Sequence, residues 1–144
     1  MFKKILYPTD FSDVAFKALA VIEKLKDAGT EEVIAIHIID QRNLDAMTKL
    51  NTEMAIEVRE KQMEHIKNEM ESIEKELASK GFRVKTRIEA DIPFRAILKA
   101  EEEENASAIV IGSHGMSNLS EMLLGSVSEK VIRKAKKPVI VVKR

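Results

Sequence analysis

The sequence predicts an α/β domain, a parallel sheet with helices packed on both faces. Three observations carry this. Strand-like apolar runs alternate with amphipathic helical patterns along the whole chain, in the order β-α-β-α-β-α-β-α-β, the alternation of a parallel sheet buried between helices. Val33-Ile-Ala-Ile-His-Ile-Ile39 is continuously apolar, as a central strand covered on both faces is. Three of the five glycines, Gly112, Gly115 and Gly125, gather where a strand should meet a helix. The expected organisation is one domain over residues 1–144.

Each element follows from local pattern. Lys4 to Tyr7 is a short apolar strand closed by Pro8. Pro8-Thr9-Asp10-Phe11-Ser12 reads as a turn with a helix cap, because Asp and Ser accept bonds from the orphan N–H groups of a first helical turn. Ala15, Ala18, Leu19, Ile22 and Leu25 then recur at three- and four-residue spacing, one face of a helix, and Gly29 stops it. After the central strand, Asp40 to Leu50 is polar and takes no assignment.

From about Thr52 to Ser79 the pattern is helical, with Ile66, Met70, Ile73 and Leu77 as its apolar stripe. Glu57–Lys61 and Glu71–Lys75 support it as i,i+4 pairs, and Gly81 ends it. Phe82 to Ile88 alternates apolar and charged residues, a strand with one wetter face near a sheet edge. Ala90-Asp91-Ile92-Pro93 starts the next helix, with Pro93 in its first turn, Phe94, Ile97 and Leu98 on its buried face, and Glu101 to Glu104 solvated. Ala106 to Ile111 is the fourth strand. A helix over Ser126 to Lys134 follows, with Val127, Val131 and Ala135 inward and Arg133 and Lys134 suiting its negative end. Pro138 to Val142 is the last strand.

Composition excludes several classes. Lys+Arg and Asp+Glu number 24 each, so no basic excess points to a nucleic acid or a membrane surface as partner. The chain has no cysteine, hence no disulfide framework and no thiolate chemistry. No apolar run approaches the ~20 residues of a membrane span, and no apolar leader opens the sequence. The expected location is the cytoplasm.

In sheets of this kind ligands bind beyond the carboxyl ends of the strands, where strand order reverses. Pro8 to Ser12, Ile38 to Arg42 and Gly112 to Ser128 lie at those ends. Glycine admits close approach of a ligand to backbone, and the free N–H groups of a helix start attract anions, phosphate above all. The Ser126 and Ser128 hydroxyls add neutral donors. Asp10 is a helix cap, a ligand to ribose hydroxyls or metal, or both. The segment carries no lysine, unlike a Walker A loop, and its spacing is not G-x-G-x-x-G. His114 stands in the loop without an evident orienting carboxylate. His37 reads as a satisfied core histidine and His65 as solvated; three such dispersed histidines show no metal-ligand spacing. Met47, Met54, Met63 and Met70 read as filler of core or interface.

Gly112-x-x-Gly115, nine residues, then Gly125-Ser126 is similar to the nucleotide-binding signature of the universal stress protein family. Tyr7-Pro8-Thr9-Asp10-Phe11-Ser12, Ile36-His37-Ile38-Ile39 and Pro138-Val-Ile-Val-Val142 resemble that family's first, second and closing strands, so the likeness covers essentially the whole chain. Ser128 stands where the family often has threonine. The resemblance implies a three-layer α/β/α fold of the adenine nucleotide alpha hydrolase-like, Rossmann-like kind, its five parallel strands ordered 3-2-1-4-5. It implies ATP as ligand, with Mg²⁺ or Mn²⁺ bridging the phosphates, and a homodimer paired through Val139 to Val142. On that reading Pro8, Thr9 and Asp10 lie along the adenosine, and the Ile38 backbone meets the adenine edge. Gly112 and Gly115, with Ser113, His114 and Met116 in their loop, sit under ribose and phosphates, and Gly125, Ser126, Val127 and Ser128 hold the phosphates. The implied role is a nucleotide-dependent switch or sensor in stress response, acting through an unidentified protein partner. The alternatives are a nucleotide-free dimeric scaffold and a slow ATPase.

Overall fold

The computed structural model describes residues 1–49, 52–115 and 124–144. Its strands are β1 (Lys4–Pro8), β2 (Glu32–Asp40), β3 (Arg83–Asp91), β4 (Ala108–Gly112) and β5 (Val139–Val142). Its helices are α1 (Asp13–Leu25), α2 (Gln41–Thr48), α3 (Glu53–Ser79), α4 (Pro93–Glu103) and α5 (Ser126–Lys134). All strand pairs are parallel and the order is β3-β2-β1-β4-β5, as the resemblance implies.

Side chains alternate across the sheet with period two. Ile5, Tyr7, Val33, Ala35, Ala108 and Val110 pack on one face against α1 and α3, through Leu19, Ile22, Met70, Ile73 and Leu77. Leu6, Ile34, Ile36, Ile109 and Ile111 pack on the other against α4 and α5, through Ile97, Ala100 and Val131. Central strands covered on both sides explain the unbroken apolar run of β2. Tyr7 is fully buried, and its hydroxyl donates to the Ala15 carbonyl at 2.6 Å, tying β1 to α1. Burial, foremost, pushes its phenol up to about 12.

The strand order reverses between β1 and β4. Their ladder is confined to Ile5–Leu6 against Ala108–Ile109, so the two strands part towards their carboxyl ends. This opens the crevice expected of such a topology.

Four local expectations change. The polar stretch after β2 is helical over Gln41–Thr48, with an Arg42–Asp40 bidentate pair at its start. Ala96, Ile97, Ala100 and Glu101 form the buried face of α4, whereas Phe94 and Leu98 are half-buried. Glu101 is not solvated. It is 5% exposed, because its Oε1 accepts the Lys136 and Lys137 N–H groups at 2.9 and 2.7 Å and so satisfies the turn before β5. The Glu104 carboxylate is also largely covered and takes Lys85 Nζ at 2.6 Å. Met70 is core as expected, but Met54 is 75% exposed at the start of α3. Among the described residues no helix is long and apolar enough to cross a membrane.

Candidate functional site

Three segments bound the crevice, and each is held open by a different device. The first is the turn after β1. Thr9 N–H donates to Ile36 O at 2.9 Å, the last rung between β1 and β2. Thr9 Oγ1 then accepts from Phe11 N–H at 3.1 Å, Asp10 Oδ1 accepts from Ser12 N–H at 3.0 Å, and Ser12 Oγ accepts from Ala15 N–H at 3.3 Å to cap α1. Asp10 therefore organises the turn and keeps its second oxygen towards Gly115.

Phe11 sits at φ 64, a left-handed conformation that is strained for a bulky residue. Its ring is stacked on His37, with centroids 4.5 Å apart and planes at 12°, and meets the exposed His65 of α3 edge-on at 6.2 Å. His37 Nδ1 lies 2.8 Å from Thr9 O. A carbonyl only accepts, so Nδ1 carries the proton. His37 is thus satisfied, as expected, but it stands half-buried at the sheet's end rather than in the core. Burial is the main cause of its pKa lying below the ordinary histidine value.

The second segment is the end of β2. Ile36 directs its carbonyl to β1. By the period of a strand, Ile38 turns its N–H and C=O the same way, but β1 ended at Pro8, paired with Ile36. The Ile38 peptide edge therefore faces the crevice beyond the ladder.

The third segment is the glycine stretch. Ser113 N–H donates to Val142 O and Ser113 O accepts from Gly125 N–H, both at 2.8 Å, so the loop leaves and returns at one point on the sheet. A Cβ on Gly125 would lie 3.3 Å from Ser113 O and 3.4 Å from His114 Cα, so glycine permits this closure. A Cβ on Gly115 would meet Asp10 Oδ2 at 2.8 Å, and one on Gly112 would meet Val14 Cγ1 at 2.9 Å and the Val14 backbone at 3.3 Å. Gly112 thus makes room for α1, whereas the sequence suggested room for a sugar. Close approach, not positive φ, requires all three.

α5 begins immediately after this closure. Gly125 gives it no side-chain cap, and its first intrahelical bond is Glu129 N–H to Gly125 O. The N–H groups of Ser126, Val127 and Ser128 therefore precede any carbonyl of their own helix. Ser128 is buried and its hydroxyl donates to Gly112 O at 2.7 Å, which leaves only its lone pairs for a ligand. Ser113 Oγ and His114 Nδ1 are 2.7 Å apart, and both residues are buried.

These segments enclose a cavity of about 240 Å³. Of the residues singled out from sequence, Pro8, Thr9 and Asp10 line it from β1, Ile38 from β2, Gly112, His114 and Gly115 from β4 and its loop, and Gly125, Ser126, Val127 and Ser128 from α5. Ser113 braces the loop from behind, and Met116 lies outside the described residues. Sequence reading missed Ala15, Pro93, Ile97 and Ile111. Ile97 and Ile111 were legible as core, and only the topology shows that core side chains floor the crevice.

The cavity has two characters. Ile38, Pro93, Ile97, Ile111 and Val127 make an apolar wall; Thr9, Asp10, Ser126 and the first amides of α5 make a polar one. Such a pocket accepts a flat, weakly polar ring on one side and an anionic tail on the other. Asp10 is its one formally charged lining side chain, and no Lys or Arg reaches it among the described residues. Those residues also hold no cluster of three or more His, Cys, Asp or Glu fit to bind a metal by themselves.

Comparison with known proteins agrees with the fold. The model of the universal stress protein family matches residues 1–143. Universal stress protein MJ0577 of Methanocaldococcus jannaschii is 46% identical, over 100% of this chain and 96% of its own length. The solved structure of MJ0577 superposes with a TM-score of 0.89, covering 100% of this chain and 97% of that one. At 20% and 22% identity, the likeness to two more solved chains concerns the fold alone. One is a universal stress protein in complex with cAMP (TM-score 0.69), and the other is that of Archaeoglobus fulgidus in complex with dAMP (TM-score 0.65). Each covers 99% of this chain and nearly all of its own, 97% and 98%.

Proposed function

The chain belongs to the universal stress protein family, and from that premise we propose that it binds ATP in the crevice between β1, β2, β4 and α5. The adenine lies against the apolar wall with its edge on the Ile38 peptide. Ribose lies between Asp10 and Gly115. The phosphates rest on the N–H groups of Ser126, Val127 and Ser128, where the helix dipole favours negative charge. The observation that carries this reading is the pairing of an unladdered strand edge with an uncapped helix start in one cavity. Two members of the family are solved with adenine nucleotides, cAMP and dAMP.

Mg²⁺ or Mn²⁺ fits this donor set. One carboxylate, Asp10, lines the cavity, and Mg²⁺ is usually held by one or two carboxylates together with substrate phosphates and water. The ion would neutralise phosphate charge that this lysine-free site does not. Asp10 and the hydroxyl of Ser126 are the residues that would hold it.

β5 is an edge strand of four apolar residues with no charged side chain to blunt it. It pairs with β5 of a second copy in a homodimer. Nucleotide occupancy of this cytoplasmic dimer is read by a protein partner, which makes the chain a switch or sensor in stress response.

Isothermal titration of nucleotide-stripped protein tests the central claim. One ATP per chain is expected, and no heat at roughly millimolar ligand sinks it. If the dimer persists in sedimentation while ATP fails to bind, the ligand-free scaffold is the correct reading.

A further inference from the structure

A contiguous basic surface lies outside the crevice, on α4, α5 and the turn that follows α5. Lys130 and Lys134 Nζ stand 4.9 and 5.0 Å from the centroid of the Phe94 ring, with Arg95 Cζ at 5.9 Å. Lys134 also lines an open groove of about 410 Å³ with Lys99, Lys136 and Lys137. Because Lys134 belongs to both groups, the strip is continuous. It runs from Phe94, next to Pro93 at the crevice wall, to the turn before β5.

Among the described residues, Arg95, Lys99, Lys130, Lys134, Lys136 and Lys137 form no ion pair with a carboxylate. Glu101 and Glu102 also line the groove; Glu101 is buried with its Oε1 on two main-chain N–H groups, so lysines outnumber carboxylates there four to two. The contrast within α5 is direct. Arg133 is bound by Glu129 one turn earlier. Lys130 and Lys134, also one turn apart, are like charges, an arrangement that destabilises a helix. The face of Phe94 offsets part of that repulsion. The whole chain is neutral, so these six cations are a local concentration and not a general excess.

We propose that this strip docks an acidic segment of a partner protein. Charge complementarity selects the occupant. A nucleic acid fits less well, because it is a continuous polyanion that favours an extended basic face with aromatic platforms. Here Phe94 lies under its own lysines, and exposed carboxylates interrupt the cations, Glu102 in the groove and its chain neighbour Glu103. A short acidic peptide can meet the cations and avoid those carboxylates. None of the six lines the nucleotide cavity, so the proposal stands or falls apart from ATP binding.

Fluorescence anisotropy with a fluorescein-labelled peptide of alternating Glu and Ser tests it, beside a Gln-Ser peptide and a poly-dT oligonucleotide. Saturable binding of the acidic peptide is expected, with none of the Gln-Ser peptide. The combined Lys99→Glu, Lys136→Glu and Lys137→Glu variant should weaken it at least about tenfold, as should raising salt from about 0.05 to 0.2 M. If that variant unfolds by circular dichroism, the same three positions changed to Gln replace it. Undiminished binding to the folded variant, no binding to the unaltered chain, or tighter binding of poly-dT overturns the proposal.

Discussion

At the carboxyl ends of the strands, main chain is joined by the short side chains of Thr9, Asp10, Ser12 and Ser128, whereas at the amino ends the longer side chains of Glu101 and Lys4 reach main-chain groups of distant segments. The crevice end closes through Ser113 N–H to Val142 O, Gly125 N–H to Ser113 O and Thr9 N–H to Ile36 O. The opposite end closes through Glu101 on the Lys136 and Lys137 amides, Lys4 Nζ on Glu104 O, and Thr30 Oγ1 on Phe2 O. The difference has a physical reason. A ligand site must keep peptide groups uncommitted and side chains out of the way, which small residues and early strand termination achieve. The opposite end fills its interior with side chains that satisfy the turns.

The largest test of this contrast is at Glu101. Removing its carboxylate leaves two main-chain donors, in partly buried bonds, without their acceptor. Glu101→Ala is expected to lose about 3 kcal/mol in urea denaturation, and Glu101→Gln less, because an amide oxygen still accepts. Nucleotide affinity should be unchanged in both. A Glu101→Ala chain that stays folded but loses ATP would show that the two ends are coupled.

Gly112→Ala comes next. The added methyl would press on Val14 Cγ1 and on the Val14 and Ala15 backbone, at 2.9 to 3.4 Å. Overpacking of this kind costs about 2 kcal/mol, read as a lower denaturation midpoint. A neutral result would mean that α1 yields easily, and Gly112 would then have no packing reason to be glycine.

These two residues also mark what was legible in the sequence. The parallel sheet and the helix stripes followed from alternation, whereas the strand order followed from the family resemblance. Gly112, Gly115 and Gly125 were visible because glycine has one distinguishing property, the missing side chain. What each gap accommodates was not visible, since Val14 and Asp10 come near only through the fold. Glu101 was misread for the converse reason. In a run of four glutamates nothing local separates the buried one, and its partners lie 35 and 36 residues away. The apolar floor of the crevice, Pro93, Ile97 and Ile111, was hidden in the same way: strand and helix patterns say that a side chain is buried, not that it ends at an opening.

A smaller effect is expected from pH. His37 is held neutral in the folded chain, chiefly by burial, so its folded pKa lies below its unfolded one. Between those two values the unfolded chain binds more protons, and stability falls as pH drops through that window. Above the unfolded value, near 6.5, the contribution is fully present. The Thr9–Asp10 wall hangs on this ring through Thr9 O and through Phe11. Denaturation midpoints measured down an acid series should decline less steeply for His37→Gln. Equal slopes would show that the imidazole does not govern this wall.

The smallest change in stability, and the sharpest separation of site from scaffold, is expected at Gly115. Among the described residues a methyl there meets only Asp10 Oδ2, at 2.8 Å, the far end of a side chain that can rotate. Gly115→Ala should therefore alter the denaturation midpoint by no more than about 0.5 kcal/mol. The carboxylate can make room only by leaving its place beside Gly115, where the proposed ribose and metal contacts need it. ATP affinity should then drop about tenfold, while Asp10→Asn in the same background adds little, because the oxygen is already displaced. If Gly115→Ala binds ATP normally, Asp10 serves the α1 turn through Ser12 alone, and the polar wall of the crevice reduces to the amides of α5.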